Sequence, residues 1–247
     1  MIIVGNWKAN VESVEKAKRL FATSRRIASQ KKHQIVLAPS APHLGLLSVG
    51  NRSKVAFAAQ DISATLGGAE TGETTAAVVA GVGATYVIIG HSERRAQGET
   101  DALLLQKVQH TLAHGLTPIL CVGERERDAD AAYLQILRAQ VSAIFGPLSQ
   151  KERMQIVVAY EPVWAIGHHA SEGITPADLH EMVLYIRKIL SDFLPGKGSS
   201  KTLVLYGGAV EVSNARILSA SSNIDGFLVG HISSEPTSFT GLAKALS

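Results

Sequence analysis

A single cysteine, Cys121, in 247 residues leaves no intrachain disulfide framework to read, and such thiol poverty suits a reducing compartment. No stretch approaches the roughly 18 consecutive apolar residues that a membrane-spanning helix needs. The opening Met1-Ile2-Ile3-Val4-Gly5-Asn6 has neither a basic segment nor a long apolar run. No secretory signal is therefore expected, and a cytoplasmic location is. Charge of one sign is also scarce. The 24 basic and 21 acidic residues leave +3, too little to argue for a nucleic-acid partner. Lys31-Lys32 abuts a predicted strand start and reads as a solvated helix end. Low-complexity tracts and linkers are missing. So is the glycine fingerprint of an open, doubly wound sheet: Gly81-Val82-Gly83 lacks the third glycine and precedes a strand, which makes it a helix-to-strand turn. No nucleophile has an adjacent base. His168, His169 and His231 have no carboxylate or cysteine at ligand spacing, so neither a metal nor a cofactor is expected.

What is present is apolar and periodic. Hydrophobic residues make up 46% of the chain and charged residues 18%, enough for a large core. The length suits two ordinary domains or one α/β barrel. Short apolar runs alternate with helical patterns from end to end: Ile2–Val4, Ile35–Ala38, Val55–Ala59, Tyr86–Ile89, Pro118–Val122, Ile156–Ala159, Leu203–Tyr206 and Ile224–Val229. Eight runs match the eight strands of a (β/α)8 barrel, read here as a single α/β domain over residues 1–247. The clearest helix carries Leu179, Met182, Val183, Ile186, Ile189, Leu190 and Phe193 on one face. Thr175-Pro176 opens it with an N-cap and a first-turn proline, and Pro195–Ser200 closes it as a loop.

In such a barrel the chemistry lies where strands end. The run Ile156-Val157-Val158 leads into Ala159-Tyr160-Glu161-Pro162-Val163-Trp164-Ala165-Ile166-Gly167. Pro162 disfavours a helical Glu161, so the acid is aimed out of the strand end by stiff backbone. It is either a surface acid before a tight turn or a catalytic carboxylate beneath the apolar segment that follows, which suits a lid. Asn6 and Lys8 follow the first strand, where a lysine is a solvated cap or the cation of an anion site. Gln60-Asp61 follows the third and leads into the glycine-rich loop Gly67–Glu73, too long for a hairpin. After the fourth, Ser92 can cap a helix, leaving His91 at a helix N-terminus whose positive end disfavours an imidazolium. His91 is then a neutral hydrogen-bond donor or a buried, satisfied histidine. Cys121 reads as packing. Tyr206-Gly207-Gly208-Ala209 after the seventh strand and Gly230-His231 after the eighth let backbone N–H groups approach an anion, where such barrels commonly hold phosphate. A carboxylate, a neutral imidazole, a lysine, an asparagine and a phosphate pocket suit proton abstraction beside a carbonyl on a small phosphorylated substrate.

The chain resembles the triosephosphate isomerase family along its whole length. The segments that carry this are Gly5-Asn6-Trp7-Lys8, Gly68-Ala69, Thr71-Gly72-Glu73, Gly90-His91-Ser92-Glu93-Arg94-Arg95, Tyr160 to Gly167, Tyr206-Gly207-Gly208 and Asp225 to Gly230. The resemblance implies a TIM barrel that interconverts glyceraldehyde 3-phosphate and dihydroxyacetone phosphate. It implies Glu161 as the base, His91 polarising the carbonyl, Lys8 and Asn6 binding substrate, and Glu93 orienting Lys8. It implies phosphate held by Gly167, Gly207, Gly208, Gly230 and the positions of Ala209 and His231. It also implies a homodimer, with Thr71 docking near Asn10 of a second subunit and with Glu73 and Arg94 at that contact. The departures cluster. His168-His169-Ala170 replace Thr-Gly-Lys, Ala209 replaces Ser, His231 replaces Gly, and Glu70 stands where the family often has an aromatic. Ala209 removes a hydroxyl bond to an anion worth about 1.5–3 kcal/mol, roughly 10- to 100-fold in affinity. His231 forbids any φ that only glycine tolerates, unless the backbone rearranges. Two alternatives remain: the same chemistry on another small sugar phosphate such as a tetrulose phosphate, and a non-catalytic barrel. The intact set Asn6, Lys8, His91, Glu93 and Glu161 argues against the second.

Overall fold

A computed structural model of the chain describes residues 1–128, 130–166 and 173–247. Eight strands alternate with helices: β1 Ile2–Asn6, β2 Gln34–Ala38, β3 Ala56–Ala59, β4 Tyr86–Ile89, β5 Thr117–Val122, β6 Val157–Tyr160, β7 Val204–Tyr206 and β8 Gly226–Val229. Each pairs in parallel with the next, and β8 returns to β1 with Ile2 opposite Gly226, so the sheet is a closed barrel. Gly226 sits at that seam because a Cβ there would collide with the Ile2 carbonyl oxygen.

Each strand is buried on both faces, which is why the runs read as continuous rather than alternating. One parity fills the barrel interior: Ile2, Val4, Val36, Ala38, Ala58, Ile88, Ile119, Cys121, Val157, Ala159, Leu205 and Leu228. The other parity, including Ile3, Leu37, Phe57, Val87, Val158 and Phe227, packs under the helices. Extending the inward parity past the strand ends gives Asn6 on β1, Gln60 after β3, Glu161 after β6, Gly207 after β7 and Gly230 after β8. The apolar filling of the barrel therefore delivers the polar residues to its mouth.

The helix Pro176–Phe193 starts as expected, with the Thr175 hydroxyl accepting the Asp178 N–H at 3.1 Å. It buries Leu179, Met182, Val183, Ile186, Ile189 and Leu190. Two expectations need correction. The Pro195–Ser200 segment is not all loop, since a short helix, Gly198–Lys201, forms with Gly198 buried on Leu194. Asn6 does not follow the first strand but ends it, paired with Ala38. Among the described residues no helix is long and apolar enough to cross a membrane.

Candidate active site

A cavity of about 720 Å³ opens at the C-terminal end of the barrel, lined among others by Asn6, Lys8, His91, Glu161, Gly207 and Gly230. Residues drawn from five strand ends, far apart in the chain, thus share one space.

Glu161 is 2% exposed. Its Oε2 accepts the Ser92 N–H at 3.1 Å, and its Oε1 stands 3.3 Å from His91 Nε2. Two glycines make room for it. A Cβ on Gly123 would collide with the Glu161 carbonyl oxygen, and one on Gly207 would lie 2.8 Å from Glu161 Cγ. The chain beyond is pinned by Glu124, which is fully buried. Its carboxylate accepts from Tyr160 Oη at 2.8 Å and Trp164 Nε1 at 2.9 Å, and its carbonyl accepts the Val163 N–H at 2.9 Å. The Arg127 guanidinium bonds the same carboxylate at 3.3 Å and lies over the Trp164 ring.

His91, not Ser92, caps the helix Ser92–Ala96: its Nδ1 accepts the Glu93 N–H at 3.2 Å. Ser92 is the first helical residue and spends its N–H on Glu161. A nitrogen that accepts a backbone N–H carries no proton, so the imidazole is neutral with its proton on Nε2, facing the cavity. The short contact to Glu161 Oε1 is accordingly not an ion pair. Glu93 Oε1 takes the Lys8 ammonium at 2.7 Å. Burial opposes Glu93 ionisation, but the Lys8 hydrogen bond and charge outweigh it and hold the carboxyl below its usual range.

Lys8 has φ 49°, a left-handed backbone that costs about 1–3 kcal/mol in a residue with a Cβ. The surroundings impose it. The Lys8 N–H donates to Asn6 Oδ1 at 3.0 Å, and Gln60 Nε2 donates to the Lys8 and Ala38 carbonyls, both at 2.9 Å. Gly230 lies beneath the side chain, where a Cβ would be 3.3 Å from Lys8 Cε. Cys121 is buried beside Glu161. Burial, together with the Glu161 charge, pushes its thiol far above the usual range, so it packs rather than reacts.

At the far end of the cavity lie Gly207, Gly208, Ala209, Gly230 and His231. His231 begins a 3-10 turn, His231–Ser234, and has no positive φ, so the feared clash with a glycine-only backbone does not arise. Gly167, His168, His169 and Ala170 lie outside the described residues. Thr71, Glu73 and Asn10 are exposed and line no part of the cavity. Arg94 pairs with Asp61 at 2.9 Å and Glu99 at 3.0 Å, and buried Lys107 joins the same two acids. The base of the third loop is thereby tied to the helix Asp101–Ala113, which carries Lys107. Sequence reasoning missed Glu124, Gly123, Gln60 and Lys107. Only the parity of Gln60, two residues beyond Ala58, was a usable signal. Among the described residues no cluster of three His, Cys, Asp or Glu is placed to hold a metal ion.

The chain matches the family described as triosephosphate isomerase over residues 1–246. The chain belongs to that family. Relatives named triosephosphate isomerase include those of Bacteroides fragilis and Thermus thermophilus, each 38% identical. The first comparison covers 100% of this chain and 98% of the relative, and the second 99% and 98%. That of Streptomyces coelicolor is 36% identical over 98% of this chain and 96% of its own length. Like its triosephosphate isomerase relatives, the chain is an isomerase.

Burial pushes the Glu161 carboxyl above its usual range, although His91, the Ser92 N–H, Lys8 and Cys121 all pull it down. Between the ordinary carboxylate value and the raised one, the folded chain holds a proton that the unfolded chain has released. Stability falls as pH rises from the ordinary carboxylate value through the raised one, and it stays reduced above. Glu161→Gln carries no such charge. It should melt above wild type at about pH 8 and level with it at about pH 4, followed by circular dichroism. A variant no more stable than wild type at the higher pH would contradict this.

Proposed function

We propose that the chain, acting as one domain over residues 1–247, interconverts glyceraldehyde 3-phosphate and dihydroxyacetone phosphate through an enediolate. The observation that carries this is a buried carboxylate and a neutral imidazole N–H 3.3 Å apart at the mouth of the barrel. Glu161 takes a proton from the carbon beside the carbonyl and returns it to the former carbonyl carbon, while the hydroxyl proton on the first carbon passes to the former carbonyl oxygen, so that C=O and C–OH exchange places. As the proton leaves, charge builds on the carbonyl oxygen. His91 Nε2–H donates to that oxygen without being a stronger acid than the task needs, and the Lys8 ammonium and Asn6 stabilise it further. Glu93 holds Lys8 in place. The backbone around Gly207, Gly208 and Gly230 receives the phosphate, with Ala209 and His231 altering the grip.

The assembly is a homodimer in the cytoplasm, without cofactor or metal. Support for the dimer comes from the third loop, whose Gly67–Glu73 arm is exposed throughout, with Leu66 at its root 73% exposed. Such an arm wants a partner's surface, with Thr71 reaching towards Asn10 of the second subunit and Glu73 and Arg94 beside it.

Removing the base tests the chemistry. Glu161→Gln keeps the shape of the side chain but cannot accept the proton, and kcat should fall by at least roughly 10³-fold. Near wild-type turnover in the pure variant would exclude Glu161 as the base. For the dimer, Thr71→Arg places an unpaired cation at the contact. Monomers by light scattering and much reduced activity are expected, and a wild type already monomeric at micromolar concentration would exclude the assembly. For the phosphate grip, Ala209→Ser with His231→Gly restores the family's residues. KM for the triose should drop by about tenfold if the native pocket is a weakened form of the family's. A rise in KM would instead assign the pocket to a different sugar phosphate, and the same assay run on tetrose phosphates decides that case.

A further inference from the structure

The opposite, N-terminal end of the barrel carries an unusual arrangement of charge. One hollow of about 710 Å³ is formed where chain segments enter the strands, and Lys31, Lys32, His33 and Lys54 line it. A second, of about 570 Å³, lies between the helix Val14–Ser29 and the segment before β3, with Arg25, Arg26, Arg52 and again Lys54. Lys54 therefore joins the two. Asp225 is the one acid in either lining, and it is already engaged by Arg187 at 2.9 Å and by the Val204 N–H at 2.8 Å. Among the described residues, no carboxylate pairs with Arg25, Arg26, Lys31, Lys32, Arg52 or Lys54.

Among the described residues, a chain of net charge +3 thus gathers six cations without a carboxylate partner on one face, Arg26 bonding only the Thr23 hydroxyl and Arg25 lying over the Phe21 ring. All six are exposed, and a bound anion would relieve what repulsion the solvent leaves between them. His33 lines the first hollow. It is nearly buried, its Nε2 lies on the Ala243 carbonyl at 3.1 Å, and its Nδ1 has no partner. Burial first, then the charge of the N-terminal ammonium and last that of Lys32 hold it below its usual pKa, against the Ala243 carbonyl. None of these residues touches the catalytic mouth, so catalysis does not account for them.

We propose that this face is a second anion site that binds a compact oligophosphate, with phosphate groups in both hollows and Lys54 between them. Each hollow has the size of a small-ligand pocket. The cations are divided between the two hollows, so linked phosphates engage both groups where a single phosphate engages one. Lysine and arginine together supply point charge and forked donors suited to phosphate oxygens. The concave form and the small net charge favour a short polyanion over nucleic acid, which tracks along extended basic stripes.

The test is calorimetric titration of sodium tripolyphosphate into the full chain at fixed ionic strength. Wild type should bind, and Arg52→Gln/Lys54→Gln should bind at least about tenfold more weakly while kcat and KM for the triose stay unchanged. Lys54→Arg should keep the affinity. A nucleoside triphosphate titrated alongside identifies the source. Equal affinity places recognition in the phosphate chain, and tighter binding places it in a nucleotide carrying that chain. Unchanged affinity in the double variant, competition between tripolyphosphate and the triose substrate, or tighter binding of a single-stranded oligonucleotide would each overturn the proposal.

Discussion

Closure of eight parallel strands leaves every strand with two buried faces, and the two-residue period of a strand then settles what reaches the barrel mouth. Inside, the inward parity must be apolar and must fill the space, as Val4, Ala38, Ala58, Cys121, Ala159, Leu205 and Leu228 do. At the mouth the same parity meets water, and polar side chains become affordable there. Asn6, Gln60 and Glu161 stand at that boundary, each two residues beyond an apolar inward neighbour. Moving any strand by one residue would turn its functional group away from the mouth. The site thus depends on the packing of the core beneath it.

The central tension at the mouth is a carboxylate that burial disfavours and that four neighbours support. Ser92, which gives its N–H to Glu161, is the first residue of a short helix, and His91 caps that helix with Nδ1 as acceptor, which leaves the ring proton on Nε2. One local structure therefore restrains the carboxylate and sets the tautomer of the imidazole. The cation arrives differently, from a left-handed Lys8 held by Asn6, Gln60 and Glu93. That backbone strain is offset by contacts from three separate strand ends, which only a closed barrel brings together.

The two ends of the barrel differ in how charge is handled. At the C-terminal mouth Lys8 is matched by Glu93, and Arg94 and Lys107 by Asp61 and Glu99. At the N-terminal end the cations stand unmatched. Surface lysines and arginines are ordinary one at a time. Six around two joined hollows with a single, occupied acid are a different case, and composition alone hides them because acids elsewhere balance the sum.

Much was legible in the chain alone, because eight apolar runs of strand length separated by amphipathic segments match a (β/α)8 barrel, and the glycine fingerprint of the rival doubly wound sheet is missing. The eight strands, the Thr175 cap, the turn at Gly81–Gly83 and the placing of Glu161 at a strand end all follow from local periodicity and from proline and glycine stereochemistry. Local rules misjudged the capping at Ser92, since the histidine before it has an equally placed acceptor and Glu161, 69 residues away, claims the Ser92 N–H. They could not foresee Glu124, whose buried carboxylate acquires meaning only once Tyr160, Trp164 and Arg127 surround it. Nor could they foresee that Gly123 is required by the Glu161 carbonyl just past the neighbouring strand, or that Lys54 would line one hollow with Lys32 and another with Arg25. Covalent geometry and hydrophobic period act over a few residues and are written in order along the chain. Packing, desolvation and charge act through space, and only the closed barrel decided which residues would share it.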